Sequence, residues 1–135
     1  MKLGPVVIAE GAVADARGAV TLVGVNQRAI VAQKFPFLVK VVVYVSVSDE
    51  DEDNSDEEPK LTIEVVTPKG EVQFSITHNI PRVAKPLPSL PQVANVAVDT
   101  LVSAEEPGKY SIEVRLTPGD SVSQLIYIVA QPQPN

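Results

Sequence analysis

Hydrophobic and polar residues alternate with a period of two along most of this chain. In the longest alternating run, 37–48 (FLVKVVVYVSVS), the valines at the odd positions 39–47 share one face. Lys40 and Tyr44 lie on the other face together with Val42. Successive side chains of a strand point to opposite faces, and β-branched residues favour extended backbone. This run therefore predicts a long strand with one apolar face.

Two pairs of alternating runs predict β-hairpins. The first pair, LTIEVV (61–66) and VQFSITH (72–78), is joined by the Pro-Lys-Gly turn of TPKGE. The second pair, 110–116 and 121–130, is joined by TPGD. Proline at the second turn position and a glycine that tolerates positive φ are typical of such connections, so both pairs predict antiparallel neighbours.

The remaining runs and breakers complete an all-β prediction. Weaker strands are predicted at 6–9, 19–25, 29–33 and 94–100, whereas the proline-rich residues 80–92 predict an extended connection. About eight or nine short strands, and no long helix, favour an all-β fold. We expect two antiparallel sheets packed as an immunoglobulin-like β-sandwich.

Tyr110 occupies a position that this fold uses in a specific way. Immunoglobulin-like sandwiches carry a tyrosine near the start of the penultimate strand, and its hydroxyl donates to backbone a few residues upstream. Tyr110 follows the turn EPGK and begins the run YSIEVRL, with Ile112 at the next inward position. The pattern predicts a tyrosine corner; the alternative is a half-exposed strand tyrosine without that role.

The chain length indicates one domain. A chain of 135 residues can bury about two-thirds of its unfolded surface without disulfides, and it contains no cysteine. We predict a single β-sandwich domain over 1–130, an acidic flexible loop at 49–60 and a disordered tail at 131–135.

Several of these segments form a combined pattern that extends over most of the chain. They are GAVTLVGV (18–25), FPF (35–37), the valine-rich run, LTIEVVTPKG (61–70) and PGKYSIEVRL (107–116). Together they resemble a family of small, uncharacterised bacterial proteins with an immunoglobulin-like sandwich fold. The resemblance implies this fold, and it implies no catalytic residue, cofactor or substrate.

The net charge of −6 comes from one segment. Residues 49–58 (DEDEDNSDEE) contain eight carboxylates, while the rest of the chain holds nine acidic and eleven basic residues.

No basic stripe indicates nucleic-acid binding, and no apolar run approaches the ~18 residues of a membrane span. The apolar stretch Val6–Ala9 is shorter than the h-region of a signal peptide. We therefore expect a cytoplasmic protein that binds neither nucleic acid nor membranes.

The acidic segment is the strongest candidate for a metal site. Asp49, Asp51 and Asp53 stand two residues apart, and carboxylate oxygens are the ligands that Ca2+ prefers. Asn54 and Lys60 occupy positions where an EF-hand needs glycine and glutamate, which excludes that motif. Three interpretations of the segment stay open. It is a looser calcium-binding loop, a solvated loop that limits aggregation of the valine-rich strand, or a docking segment for a basic partner.

No catalytic motif accompanies the predicted fold. Nucleophile-elbow, phosphate-loop, zinc-protease and dinucleotide-binding patterns are absent, and the lone histidine, His78, is expected to be a hydrogen-bonded strand-end residue. Glu64, Glu71 and Glu113 are expected on solvent faces. The sequence thus predicts a non-catalytic interaction module with a protein partner and no cofactor; the alternative is a calcium-dependent binding module.

Three surfaces are candidates for docking such a partner. They are the acidic loop, the proline-rich connection and the face that carries Val42 and Tyr44. A valine-rich edge strand could also pair two copies into a homodimer, which the sequence leaves open.

Overall fold

A computed structural model describes residues 2–17, 19–25, 28–49, 58–80 and 92–132 of the chain. Within these ranges the chain forms ten β-strands and no helix, and hence no helix that could cross a membrane. The strands are β1 (Lys2–Ala9), β2 (Gly11–Ala14), β3 (Val20–Val23), β4 (Ala29–Ala32), β5 (Phe37–Asp49), β6 (Lys60–Val66), β7 (Val72–Asn79), β8 (Gln92–Ala104), β9 (Gly108–Thr117) and β10 (Ser121–Ala130). The all-β class predicted from the alternating pattern is confirmed.

The described strands form three sheets. A five-stranded sheet has the order β4-β10-β9-β6-β7, a three-stranded sheet has the order β1-β5-β8, and β2 pairs with β3. Every described pair is antiparallel except β4 and β10, which run parallel with Ala29 opposite Tyr127 and Val31 opposite Val129. The prediction of antiparallel pairing throughout is wrong at this edge, because strands so distant in sequence are not constrained by a hairpin turn.

Both predicted hairpins are confirmed. β6 and β7 are joined by a turn in which the Gly70 N–H donates to the Thr67 carbonyl at 2.9 Å, with Gly70 at φ 85°. β9 and β10 pair from Gly108 opposite Ile128 to Arg115 opposite Ser121.

β5 and β8 pair along their full lengths of thirteen residues. The register runs from Phe37 opposite Ala104 to Asp49 opposite Gln92. The sequence predicted only a weak, shorter strand at 94–100, because alanine, asparagine and aspartate lower its intrinsic β propensity. The long partner strand β5 offers backbone hydrogen bonds over the whole stretch, and this tertiary pairing outweighs the local propensity.

One cluster of buried hydrophobic side chains is shared by the two larger sheets. β5 contributes the odd-numbered valines 41–47, as its alternation predicted. The five-stranded sheet contributes Leu61, Ile63, Val65, Tyr110, Ile112, Val114, Leu116, Ile126 and Ile128. The inward faces of the two sheets therefore form a common core.

The second face of β5 is more buried than the sequence predicted. Val42 is only 4% exposed, and its neighbour on β1, Ala9, is fully buried. β2 begins two residues after Ala9 and lies against β5, so the β2–β3 hairpin accounts for this burial. The prediction that Val42 and Tyr44 belong to an exposed docking face is therefore wrong for Val42, which is buried. Tyr44 is half-buried.

Residues 50–57, 81–91 and 133–135 lie outside the described residues. They hold most of the predicted acidic loop, the proline-rich connection and the C-terminal tail. These three assignments, and the predicted domain boundaries, therefore stay predictions.

Candidate functional site

The outer face of the five-stranded sheet, which points away from the core, carries a row of exposed apolar side chains. The row, called here the apolar band, consists of Val31 on β4, Leu125, Tyr127 and Val129 on β10, and Val72 on β7. Each is between 39% and 59% exposed. The cross-strand register places Val31 beside Val129, whereas Ser111 of β9 and Val66 of β6 lie between Leu125 and Val72. The four band residues on β4 and β10 therefore form a contiguous group at one edge of the sheet, and Val72 lies at the other edge.

A polar cluster lies next to the apolar band on the same face. Glu64 of β6 stands directly opposite Glu113 of β9. Like charges in this position repel, and each carboxylate has its own partner: Arg115 Nη2 lies 3.2 Å from Glu64 Oε1, and Ser123 Oγ donates to Glu113 Oε1 at 2.9 Å. The Ser111 hydroxyl also donates to Glu113. Sequence reasoning placed these glutamates on solvent faces but missed their proximity, which depends on the β6–β9 register.

A second candidate site is a cavity of about 370 Å³ between the β6–β7 turn and the β8–β9 turn. This turn cavity is lined by Thr67, Lys69, Glu71, Gln73, Ser103, Glu105, Glu106 and Tyr110. Its lining is predominantly polar and combines one ammonium group with three carboxylates. Convergent polar groups around a concave space are a general mark of ligand sites.

Tyr110 forms one wall of the turn cavity and confirms the predicted tyrosine corner. Its side chain is 2% exposed, and its hydroxyl donates to the Glu106 carbonyl at 2.8 Å. Burial raises the pKa of the Tyr110 hydroxyl, and the nearby carboxylates of Glu106 and Glu105 act in the same direction, against the opposing effect of the hydrogen bond. The corner therefore fixes the β8–β9 turn with a neutral, buried tyrosine.

The two turns that border the cavity also contact each other. A Cβ placed on Gly108 would lie 2.8 Å from Pro68 Cγ, so only glycine allows this approach. Within the β6–β7 turn, the Thr67 N–H donates to the Glu71 carbonyl at 2.8 Å, and the Glu71 N–H donates to Thr67 Oγ1 at 3.2 Å. The lining is therefore fixed by backbone contacts, which leaves its charged side chains free.

Gln73 reaches the cavity because of a β-bulge. Val65 faces Phe74 and Val66 faces Val72, so Gln73 is the extra residue on β7. Bulges redirect a side chain, and here Gln73 Oε1 accepts a hydrogen bond from the Ser103 N–H of β8 at 3.3 Å. Gln73 Nε2 is buried without a hydrogen-bond partner. A buried donor left unpaired costs about 1–3 kcal/mol, so this amide group is suited to an added acceptor.

The structure places the remaining sequence-predicted site residues as follows. Asp49 ends β5, whereas Asp51 and Asp53 lie outside the described residues, so the calcium prediction stays a prediction. No group of three or more histidine, cysteine, aspartate or glutamate side chains that could hold a metal occurs in the described ranges.

His78 faces inward opposite Leu61. Its Nε2 is buried and has no partner within the described part of the chain, contrary to the hydrogen-bonded histidine that was expected.

Comparison with known proteins identifies a family for this chain. Residues 5–124 match the sequence pattern of a family described as "Family of unknown function (DUF6941)". No curated protein and no solved structure matches the chain. The matched range contains the turn cavity and most of the five-stranded sheet. Because the match covers most of its length, the chain belongs to this family of unknown function.

Proposed function

We propose that the protein is a non-catalytic interaction module that binds a protein partner through the outer face of its five-stranded sheet. The observation that carries this proposal is the apolar band. Exposed apolar residues are common singly, but a contiguous group bordered by polar residues, such as the four band residues of β4 and β10, is typical of a protein-binding surface. The band includes Tyr127, and tyrosine is enriched among the residues that dominate binding energy.

An apolar cavity at the β4 end of the band supports the same proposal. This edge cavity has a volume of about 410 Å³ and is lined by Val31, Gln33, Lys34, Pro36, Phe37 and Leu38. Val31 belongs to both the band and the cavity, and Leu38 is 65% exposed. Binding energy concentrates where an apolar side chain of one protein fills such a cavity on the other. A partner could therefore lie along the band and insert one side chain here.

The polar cluster gives the face a means of selecting its partner. Glu64, Arg115 and Glu113 lie beside the apolar residues, at the position of a polar rim. Rim charges contribute mainly to orientation and to discrimination between partners. The face thus combines an apolar contact surface with a patterned polar border.

We also propose that the two larger sheets form an immunoglobulin-like sandwich. In this assignment β1, β5 and β8 take the places of strands A, B and E, while β6, β9 and β10 take those of C, F and G, and β7 adds a C′ strand. The hydrogen bond from Tyr110 to Glu106 supports the assignment. An experimental structure that placed these strands in another order would contradict it.

Site-specific photocrosslinking in native cells tests the docking face. A photoreactive amino acid would replace Tyr127 or Val31 in two variants, and Leu101 in a matched control. Leu101 is 45% exposed but lies on the three-stranded sheet. We expect the same crosslinked partner from positions 127 and 31, and none from position 101.

Two outcomes decide the proposal. Crosslinks that are equal at all three positions, or absent at positions 127 and 31, would contradict the assigned face. A crosslinked product made of two copies of this chain would identify the partner as a second copy, and light scattering of the purified protein would then show a dimer.

A further inference from the structure

We propose that the turn cavity binds a small basic amino acid, such as L-arginine or L-lysine. The ligand's carboxylate would meet Lys69 and Gln73, and its two cationic groups would meet the glutamates. This site shares no residue with the apolar band, so the inference goes beyond the proposed protein-binding function and does not depend on it.

The charges of the cavity determine the class of ligand. Lys69, Glu71, Glu105 and Glu106 together carry a net charge of −2. None of these four side chains forms an ion pair in the described part of the chain. Carboxylates in excess attract a cationic ligand, while the ammonium group of Lys69 offers a separate contact for an anionic group. A molecule with two cations and one carboxylate complements this arrangement.

Gln73 provides the second, independent observation. Its Nε2 is buried and has no acceptor, although its Oε1 is fixed by the Ser103 N–H at 3.3 Å. An amide nitrogen donates hydrogen bonds, and a carboxylate oxygen is a strong acceptor for them. Gln73 and Lys69 both line the cavity, so together they supply donors for the ligand's carboxylate.

The shape of the cavity is fixed by contacts that do not involve its charged side-chain groups. Glu106 accepts the Tyr110 hydroxyl through its backbone carbonyl, which leaves the Glu106 carboxylate free. The close approach of Gly108 to Pro68 fixes the distance between the two turns. Binding sites gain affinity when the protein's geometry is set before the ligand arrives.

A bare metal ion fits this cavity less well than an amino acid. The ammonium group of Lys69 repels a divalent cation, and the three carboxylates of the lining do not form a group that could hold a metal ion, since none occurs among the described residues. The combination of donors and carboxylates instead matches a molecule that carries both signs of charge.

Isothermal titration calorimetry with the full chain tests the proposal. The probes are L-arginine, L-lysine, agmatine, which lacks the carboxylate of arginine, and calcium chloride. We expect both amino acids to bind and agmatine to bind more weakly. In the double variant Glu105→Gln/Glu106→Gln, affinity for L-arginine should fall about tenfold, as expected for the loss of two partly exposed ion pairs.

Matched variants distinguish binding in the turn cavity from binding elsewhere on the protein. Lys69→Met should weaken the binding of L-arginine about tenfold but should not weaken the binding of agmatine, because the variant removes a positive charge that repels both cationic groups of agmatine. Lys60→Met, at an exposed lysine outside the cavity, should change neither affinity. Tyr127→Ser should also leave ligand binding intact, which distinguishes this site from the docking face. No heat from either amino acid, equal binding of agmatine, a calcium response that the Glu105→Gln/Glu106→Gln variant loses, or wild-type affinity in the cavity variants would each overturn the proposal.

Discussion

At the scale of single residues, Tyr110 connects the architecture to the candidate ligand site. Its ring is buried in the core shared by the two sheets, and its hydroxyl fixes the turn that borders the cavity. The residue was singled out from sequence because it follows a proline-glycine turn and begins an alternating run. The structure shows that this position combines apolar burial with one directed hydrogen bond.

Replacing Tyr110 with phenylalanine tests the value of that bond. Tyr110→Phe removes the 2.8 Å hydrogen bond to the Glu106 carbonyl while keeping the ring. We expect the free energy of unfolding to fall by about 1 kcal/mol. Urea denaturation measures this change, with Tyr127→Phe, on an exposed tyrosine, as the control. Equal losses in the two variants would show that the corner bond contributes nothing specific.

The same tyrosine predicts a loss of stability at alkaline pH. Because burial raises the pKa of Tyr110 above 10.0, the folded state holds this proton more tightly than the unfolded chain does. The resulting contribution to stability is fully present below the unfolded pKa of 10.0 and is lost as pH rises through the folded pKa. We expect the stability difference between wild type and Tyr110→Phe to shrink above about pH 10, and urea titrations at neutral and alkaline pH measure it. A stability difference that stays the same at neutral and alkaline pH would contradict the raised pKa of Tyr110.

At the scale of elements, β5 shows how strands packed on its second face change the burial expected from a simple alternating pattern. Its odd-numbered valines face the core as predicted, but Val42 on the opposite face is also buried. The burial depends on β1 and on the β2–β3 hairpin, of which the sequence predicted only β3 as a strand. An element whose two faces are both partly covered contributes more to stability than its pattern indicates.

Truncating Val42 tests this interpretation. Val42→Ala should lower the free energy of unfolding by about 1–2 kcal/mol, because it removes two buried methyl groups and leaves a small cavity. Leu38→Ala is the control on the same face of β5, where the side chain is 65% exposed and should cost less than about 0.5 kcal/mol. Thermal or urea denaturation compares the two, and a larger effect at Leu38 would show that the hairpin does not cover this face.

At the scale of the whole molecule, the charge is distributed unevenly. Eight of the seventeen acidic residues belong to the single segment 49–58, which begins at the last residue of β5, whereas the rest of the chain is close to neutral. Such a segment changes how the molecule responds to cations and to salt more than it changes the fold.

A melting experiment decides between the calcium hypothesis and a solvated loop. If Asp49, Asp51 and Asp53 bind Ca2+, a concentration of 100 times Kd should stabilise the folded state by about 2.7 kcal/mol and raise Tm. The variant Asp49→Asn/Asp51→Asn/Asp53→Asn should lose this response, and Mg2+ serves as the ionic control. An identical Tm with and without calcium would exclude the hypothesis and favour the solvated loop.

The sequence by itself determined the class of the fold, both hairpins and the inward faces of β5, β6 and β9. These features are local, because side-chain alternation and turn chemistry act between neighbouring residues. The corner role of Tyr110 was also local, since its partner Glu106 lies four residues upstream in the preceding turn.

Only the tertiary structure decided the parallel β4–β10 edge, the burial of Val42, the facing pair Glu64 and Glu113, and the turn cavity. Each of these depends on which distant strands pair and in which register, and a period-two pattern contains no information about either. The cavity shows this most directly: the β6–β7 turn and the β8–β9 turn meet only because β6 pairs with β9 and a bulge directs Gln73 toward β8.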